Sequence, residues 1–321
     1  MQLPASQDFT RVTVFALPAD YAGQCIDNFL ITLFKGVPRS RVYRIIRKGE
    51  VRVNRKRVQP SYKLQSEDLL RLPPMRVSEG GKTGSAGVSS GLRTLLNNAV
   101  LYEDGSLLVI DKPSGLAVHG GSGLKLGLIE ALRQMREGSA LELVHRLDRE
   151  TSGCLLVAKK RSALRDLHAQ IRAGSMDKFY LALALGAWPK HTDEVRAPLL
   201  KNHLSSGERV VVVSAEGKAS HTRFSVLRRY GDATLLEATP VTGRTHQIRV
   251  HARFAGCPLF GDAKYGGDVA LPGLEGRGAR RLFLHASRLG FTSPESGQRM
   301  LIEAPLPEEL QDILARLGAV T

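Results

Sequence analysis

The chain is short of cysteine, of long apolar runs, of aromatic residues and of acids, and each shortage closes a class of explanation. Its 3 cysteines, Cys25, Cys154 and Cys257, are odd in number, far apart and never in a C-x-x-C pair. That spacing excludes a disulfide framework and gives no zinc site, so they read as small core residues. The 9 histidines include no H-E-x-x-H pattern, and the closest motif pair, His246 and His251, is spaced five apart, so no metal is expected. No apolar stretch reaches the roughly 18 residues a membrane helix needs. The start, MQLPASQDFTRVTV, has neither a basic segment leading into an apolar one nor a lipidation motif, which gives a cytoplasmic expectation. Asp and Glu number 31 against 46 Lys and Arg, a formal charge of +15. Such an excess fits a polyanionic partner, nucleic acid before an anionic membrane, although a basic protein with a merely solvated surface has the same totals.

Within 321 residues of 42% apolar composition there is enough core for two domains. The stretch VSEGGKTGSAGVSSG at 77–91 has almost nothing to bury and reads as a flexible tether. It divides a small module, 1–76, from a large one, 93–321, with 77–92 as linker. In the small module, PRSRVYRIIRKG (38–49) places Val42, Ile45 and Ile46 at helical spacing and turns Arg41, Arg44 and Lys48 to another face. Ser40 is the candidate N-cap and Gly49 the stop. VRVNRKRV then alternates as a hairpin turning at Asn54 and Arg55. Arg41, Arg44, Arg47, Lys48, Arg52, Arg55, Lys56 and Arg57 fall in this short span with Glu50 as its acid, a concentration suited to tracking phosphates.

The large module reads as α+β. Candidate strands lie at LLVI (107), GCLLVAKK (153), KFYLALALG (178), ERVVVV (208), HTRFSVL (221), ATLLEATPV (233) and RLFLHA (281). Helices fit 162–173, with Ser162 as cap, 245–255 and 306–317. Strands outnumber helices without alternating with them, which disfavours a doubly wound parallel sheet. Two clusters carry chemistry. In LVHRLDRETSG, Asp148 stands between Arg146 and Arg149 in a turn before an apolar strand; it reads equally as a turn aspartate held by local amides or as a reactive acid. In PVTGRTHQIRVH, a strand passes through Gly243 into a helix, with Arg244 at the junction and Gln247 and Arg249 after it, a natural anion site. Tyr180, in KFYLALALG, reads as core or as a platform for a ligand.

Residues 22–73, around VPRSRVYRIIRKGEVRVNRKRV, resemble an S4 RNA-binding domain. Many such domains turn the hairpin at Asn-Gly, and Asn54-Arg55 replaces that glycine with a cation. DKPSGLAVHGG (111–121), HRLDRETSG (145–153), KFYLAL (178–183), PVTGRTHQIRVH (240–251), GDAKYG (261–266) and LFLHA (282–286) resemble, in this order, the motifs of the RNA pseudouridine synthases. The wording is nearest to members acting on large-subunit ribosomal RNA.

The resemblance implies a small S4 domain ahead of a catalytic domain with a mixed, largely antiparallel sheet and flanking helices. The activity it implies is isomerisation of several uridines in large-subunit ribosomal RNA or its assembly intermediates, without cofactor, metal or membrane. It implies Asp148 as catalytic carboxylate, Arg244 as its cationic partner, and Arg146 entering the space a flipped base vacates. Tyr180 would stack on that base and Leu284 pack the pocket wall, while Arg41, Arg44, Lys48, Arg52, Arg55, Lys56 and Arg57 bind RNA. Two other targets of the same chemistry, another ribosomal site or a transfer RNA, stay open. A non-catalytic S4 binder is a poorer fit, because an acid among arginines facing a polyanion costs affinity. A nuclease or glycosidase would call for metal-ligand acids or paired carboxyls, and Glu150, next but one to Asp148, is the single candidate second acid.

Overall fold

The computed structural model describes residues 9–34, 37–75, 87–120, 126–136, 140–203, 209–266, 271, 274 and 281–319. The chain divides into two compact units, Met1–Gly87 and Val88–Thr321. Most of the stretch read as tether lies outside the described residues. Its C-terminal end is structured: a helix spans Ser90–Asn98, and Ser89 caps it by accepting the Leu92 N–H.

In the first unit an antiparallel sheet runs in the order Thr13–Ala16, Leu69–Leu72, Arg52–Val53, Lys56–Arg57. The helices Ile26–Leu33 and Arg39–Arg47 share one apolar core with it, built on Phe29, Leu30, Phe34, Val42, Ile46 and Leu70. The periodicity read from the sequence is realised: Val42, Ile45 and Ile46 are buried while Arg41, Arg44 and Lys48 are exposed. Ser40 does not cap. The N-cap is Pro38, whose fixed φ of −55° directs the chain into the helix without a side-chain bond. Gly49 ends it at φ 70°, where a Cβ would stand 2.5 Å from the Arg57 side chain. The hairpin turns at Asn54 (φ 50°) and Arg55 (φ 66°), the paired left-handed conformation of a type I′ turn. Asn54 ties the turn to the neighbouring strand: its amide donates to Asp68 and its carbonyl oxygen accepts the Leu69 N–H.

In the second unit ten described strands form one sheet, with a path from Glu194–Val195 through Thr222–Arg229, Ala233–Pro240, Asp177–Leu185, Leu284–Thr292, Ser152–Ala158 and Leu107–Lys112 to Val100–Glu103. Every pairing is antiparallel except that of Leu284–Thr292 with Ser152–Ala158, which places His285 beside Ser152 and Ala286 beside Gly153. Six of the candidate strands prove to be strands, ERVVVV in a separate two-stranded hairpin of Leu199–His203 with Arg209–Val213, while RLFLHA enters one only from Leu284.

Period-two alternation distributes the strands between cores. Leu155 and Val157 join Tyr180 and Ala182 under the helices Leu128–Met135 and Gln247–Phe254, while Cys154 and Leu156 pack with Leu167 of the helix Arg161–Ala173. Leu183 and Leu185 meet Leu310 and Ile313 of the helix Glu308–Ala319. Ser162 is not a cap either, since the helix starts a residue earlier with Lys160 as N-cap and no side-chain bond. Cys154 and Cys257 are buried and Cys25 half-buried, all three free.

Candidate active site

A cleft of about 380 Å³ in the second unit is where the sheet's central strands meet the start of the helix Gln247–Phe254. Val144 to Asp148 line it from the loop leading into the strand Ser152–Ala158, with Lys178 and Tyr180 from the next-but-one strand and Leu284 from the strand between them. Thr242 to Arg249 complete the wall. Asp148, Arg146, Tyr180, Leu284 and Arg244, which the sequence reading singled out across nearly 140 positions, thus share one cavity.

The loop carrying Asp148 is clamped from below by the turn Pro113–Leu116. Lys112, with no exposed surface, donates from Nζ to the carbonyls of Pro113 (2.7 Å), Leu116 (2.9 Å) and Arg149 (3.0 Å), one for each ammonium proton. The Gly115 N–H also reaches the Arg149 carbonyl, and Ser114 Oγ donates to that of Glu150. Burial drives the Lys112 ammonium down to about 7 against the opposing pull of the Glu150 and Asp148 charges. The DKPSG motif therefore acts on the site through the backbone of the Asp148 loop.

The cation beside the carboxylate is Arg249, and not Arg244 as the resemblance implied. Arg249 Nη1 lies 3.4 Å from Asp148 Oδ2, while its Nε and Nη2 form a two-pronged pair with Asp262 at 2.8 and 2.7 Å. Burial opposes the charge, but the Asp262 hydrogen bonds and the two carboxylates outweigh it and hold the guanidinium above its ordinary value. Arg244 is exposed at the rim and donates Nε–H to the Ala219 carbonyl at 3.2 Å. Arg249 lies within the helix, whose residues 247–252 are all buried, whereas Arg244 stands in the exposed turn before it. That turn is fixed by Gln247, whose Oε1 accepts from Thr242 Oγ1 and the Arg244 N–H, and whose amide donates to the His221 carbonyl.

Asp262, from GDAKYG, also accepts the N–H groups of Lys264 and Tyr265, so it is fully committed and has no exposed side-chain surface. The walls at Tyr180 and Leu284 are uncharged, while Lys178 and Arg146 add cations to the lining. Tyr180 is 9% exposed, and burial, seconded by the Asp148 charge, raises its hydroxyl well above the ordinary tyrosine value, so it stays protonated. Leu284 is buried beside Ala182. Arg146 is exposed at the mouth. Such a site combines a partly exposed carboxylate with a permanent countercharge, a neutral aromatic and an apolar wall, suited to covalent or base chemistry on a flat, uncharged ring. Lys112, Asp262, His246 and Tyr265 were assigned no roles from sequence, and Arg249 only a place in the anion-binding turn. The available signal was Asp262, the one acid of GDAKYG, set against the second arginine of TGRTHQIR in a separate motif.

The sequence profile of the RNA pseudouridylate synthases matches residues 106–254, and that of the S4 domain matches residues 26–70. The chain is 57% identical over 312 residues to ribosomal large subunit pseudouridine synthase C of Escherichia coli K12, covering 95% of this chain and 97% of that one. It is 56% identical over 309 residues to the Yersinia pestis protein of the same name, with 95% and 96% covered. Among solved structures, human RNA pseudouridylate synthase domain containing 4 superposes with a TM-score of 0.59 at 28% identity, over 71% of this chain and 96% of that one. The arrangement of carboxylate, arginine and tyrosine in a mixed sheet, together with relatives this similar along nearly the whole chain, makes this protein a member of the RNA pseudouridine synthase family, with an S4 domain ahead of its catalytic domain.

Proposed function

We propose that the enzyme converts several uridines of large-subunit ribosomal RNA, free or in an assembling subunit, to pseudouridine in the cytoplasm, with Asp148 as the reacting carboxylate. The observation that carries this reading is Asp148 set against Arg249 in a cleft whose other face is Tyr180 and Leu284. The reaction breaks the N1–C1′ bond, turns the uracil while it is held, and joins C5 to C1′. It moves no net electrons. A carboxylate serves whether it adds to the reacting nucleoside or removes a sugar proton to give a glycal.

Arg249 supplies the countercharge for Asp148 as RNA excludes water, since a charge left unpaired in a closing site is costly. The uridine must leave its stack at a cost of a few kcal/mol, and Arg146 at the cleft mouth fills the space it leaves. Tyr180 lies against the extracted ring and is positioned to take part in the proton exchange at C5, with Leu284 confining the ring from the side. Arg244 and the exposed cations Arg41, Arg44, Lys48, Arg52, Arg55, Lys56 and Arg57 meet phosphates.

The test is to map pseudouridines across ribosomal RNA from cells with and without the gene, and from cells carrying only Asp148→Asn. Loss of a defined set of large-subunit pseudouridines in the deletion and in Asp148→Asn alike is expected. An unchanged large-subunit map with losses in transfer RNA would redirect the target, and full modification by Asp148→Asn would remove that residue from the chemistry.

A further inference from the structure

His246 carries a left-handed backbone, φ 53°, at the N-cap of the helix Gln247–Phe254. That conformation is costly for a residue with a side chain, and its effect is to aim the imidazole into the cleft. Nε2 stands 3.8 Å from Asp148 Oδ2, and Nδ1 stands 2.7 Å from the Tyr265 hydroxyl. The hydroxyl also accepts the Val211 N–H, at 3.0 Å, from the strand Arg209–Val213. These partners fix the proton positions. A backbone N–H can only donate, so Val211 uses a lone pair of the hydroxyl oxygen. Among the described residues, the acceptor left for the Tyr265 proton is Nδ1 of His246. Nδ1 therefore accepts, and the neutral ring must carry its own proton on Nε2, the nitrogen that faces Asp148.

Neutrality has a physical basis as well. Burial lowers the imidazole's affinity for a second proton, with Arg249 and Lys264 acting in the same direction and Asp148 and Asp262 opposing. Tyr265 is itself held protonated by burial, and its ring packs edge-on to His246 and beneath the Arg249 guanidinium.

Arg249 and His246 both approach the same oxygen, Oδ2. No described donor hydrogen-bonds to Oδ1. We infer that His246 is a positioning residue for Asp148: held by Tyr265 as the Nε2–H tautomer, it joins Arg249 in anchoring Oδ2 and leaves Oδ1 as the oxygen that reacts. At 3.8 Å the His246 contact is too long for a hydrogen bond, and it shortens to one when the uridine enters and water leaves, as contacts to reacting groups do. The chain of contacts Val211, Tyr265, His246, Asp148 also makes the hairpin Leu199–His203 with Arg209–Val213 part of the support for the carboxylate. The inference rests on Asp148 being the reacting carboxylate.

Two measurements test it. In the full-length enzyme with 15N-labelled histidine, the His246 resonances, identified by their absence from His246→Asn, should show protonated Nε2 and bare Nδ1 at neutral pH. A protonated Nδ1 there, on either the neutral or the charged ring, would overturn the tautomer and the inference with it.

The second measurement is single-turnover pseudouridine formation at saturating ribosomal RNA fragment. His246→Asn suits the left-handed backbone but cannot reach Asp148, so its rate should fall roughly 10- to 100-fold, the range for losing a hydrogen bond to a charged group, while RNA affinity holds. His246→Gln returns an amide donor near Nε2 and should recover part of that loss; Tyr265→Phe should slow the rate in the same direction. A merely structural histidine would not give the Gln rescue or leave affinity intact. If Asp148→Asn is inert while His246→Asn and Tyr265→Phe turn over at the parent rate, the positioning role fails. If Asp148→Asn itself turns over, the assignment of the carboxylate fails instead.

Discussion

The two arginines of TGRTHQIR differ in burial, and that difference assigns them different work. Arg249 is packed between Asp148 and Asp262, and Asp262 has no exposed side-chain surface. Arg249→Ala would leave that acid uncompensated, and unfolding measurements should show a loss of about 3–5 kcal/mol. Arg249→Lys keeps a charge but gives up the two-pronged geometry. It should stay folded and lose most of its single-turnover rate. Arg244, exposed and bonded to a carbonyl, is expected to act mainly through RNA affinity, so Arg244→Ala should regain most of its rate as RNA is raised to saturation. A rate that stays low for Arg244→Ala and normal for Arg249→Lys would reverse the assignment. The sequence placed both cations in one motif, but their order along a strand-to-helix turn does not tell which one the helix carries inward.

Single backbone positions decide two of the elements. In the S4 hairpin, Arg55 holds φ 66° without the side-chain bonds that support Asn54. Arg55→Gly should stabilise the first unit by up to about 1 kcal/mol, because glycine bears the left-handed conformation without penalty. It should also weaken RNA binding and lower the salt slope by about 1. Opposite signs in a melting curve and a binding titration would mark Arg55 as kept for its charge; unchanged affinity would make it ordinary surface. In the catalytic unit, Gly153 sits at φ 105°, and a Cβ there would stand 2.3 Å from the Ala286 carbonyl oxygen. That is where the sheet's parallel pair is made, immediately after the Asp148 loop. Gly153→Ala should cost about 3 kcal/mol or more in denaturant unfolding, and a stability equal to the parent would mean the two strands can part without consequence.

At the scale of the whole molecule, the densest run of exposed cations and the chemistry lie in different units. The exposed cations from Arg41 to Arg57 belong to Met1–Gly87, and every residue lining the cleft belongs to Val88–Thr321. A chain beginning at Val88 retains Ser89, the cap of the first helix, and the complete site. It should fold and turn over ribosomal RNA at low salt, with weaker binding and a shallower dependence of log affinity on log salt, since fewer phosphates are neutralised. Equal slopes for the two chains would show that the S4 unit does not contact the same RNA.

The sequence by itself determined what local rules can determine. The spacing of Val42, Ile45 and Ile46, the short apolar stretches of the seven candidate strands and the Asn54-Arg55 turn are set by neighbours a few residues away, and the order of the motifs carried the resemblance to the family. Caps were less legible: Ser40 and Ser162 have the right chemistry one or two positions inside helices that Pro38 and Lys160 begin, because the bounds depend on where the chain enters from its tertiary neighbours. Only the tertiary structure decided which cation serves the carboxylate, why Lys112 is buried under the Asp148 loop, and how Val211, Tyr265 and His246 reach Asp148 from three segments. Those contacts join residues up to 101 positions apart. They are fixed by sheet order and by the parallel pairing at Gly153, which no local spacing encodes.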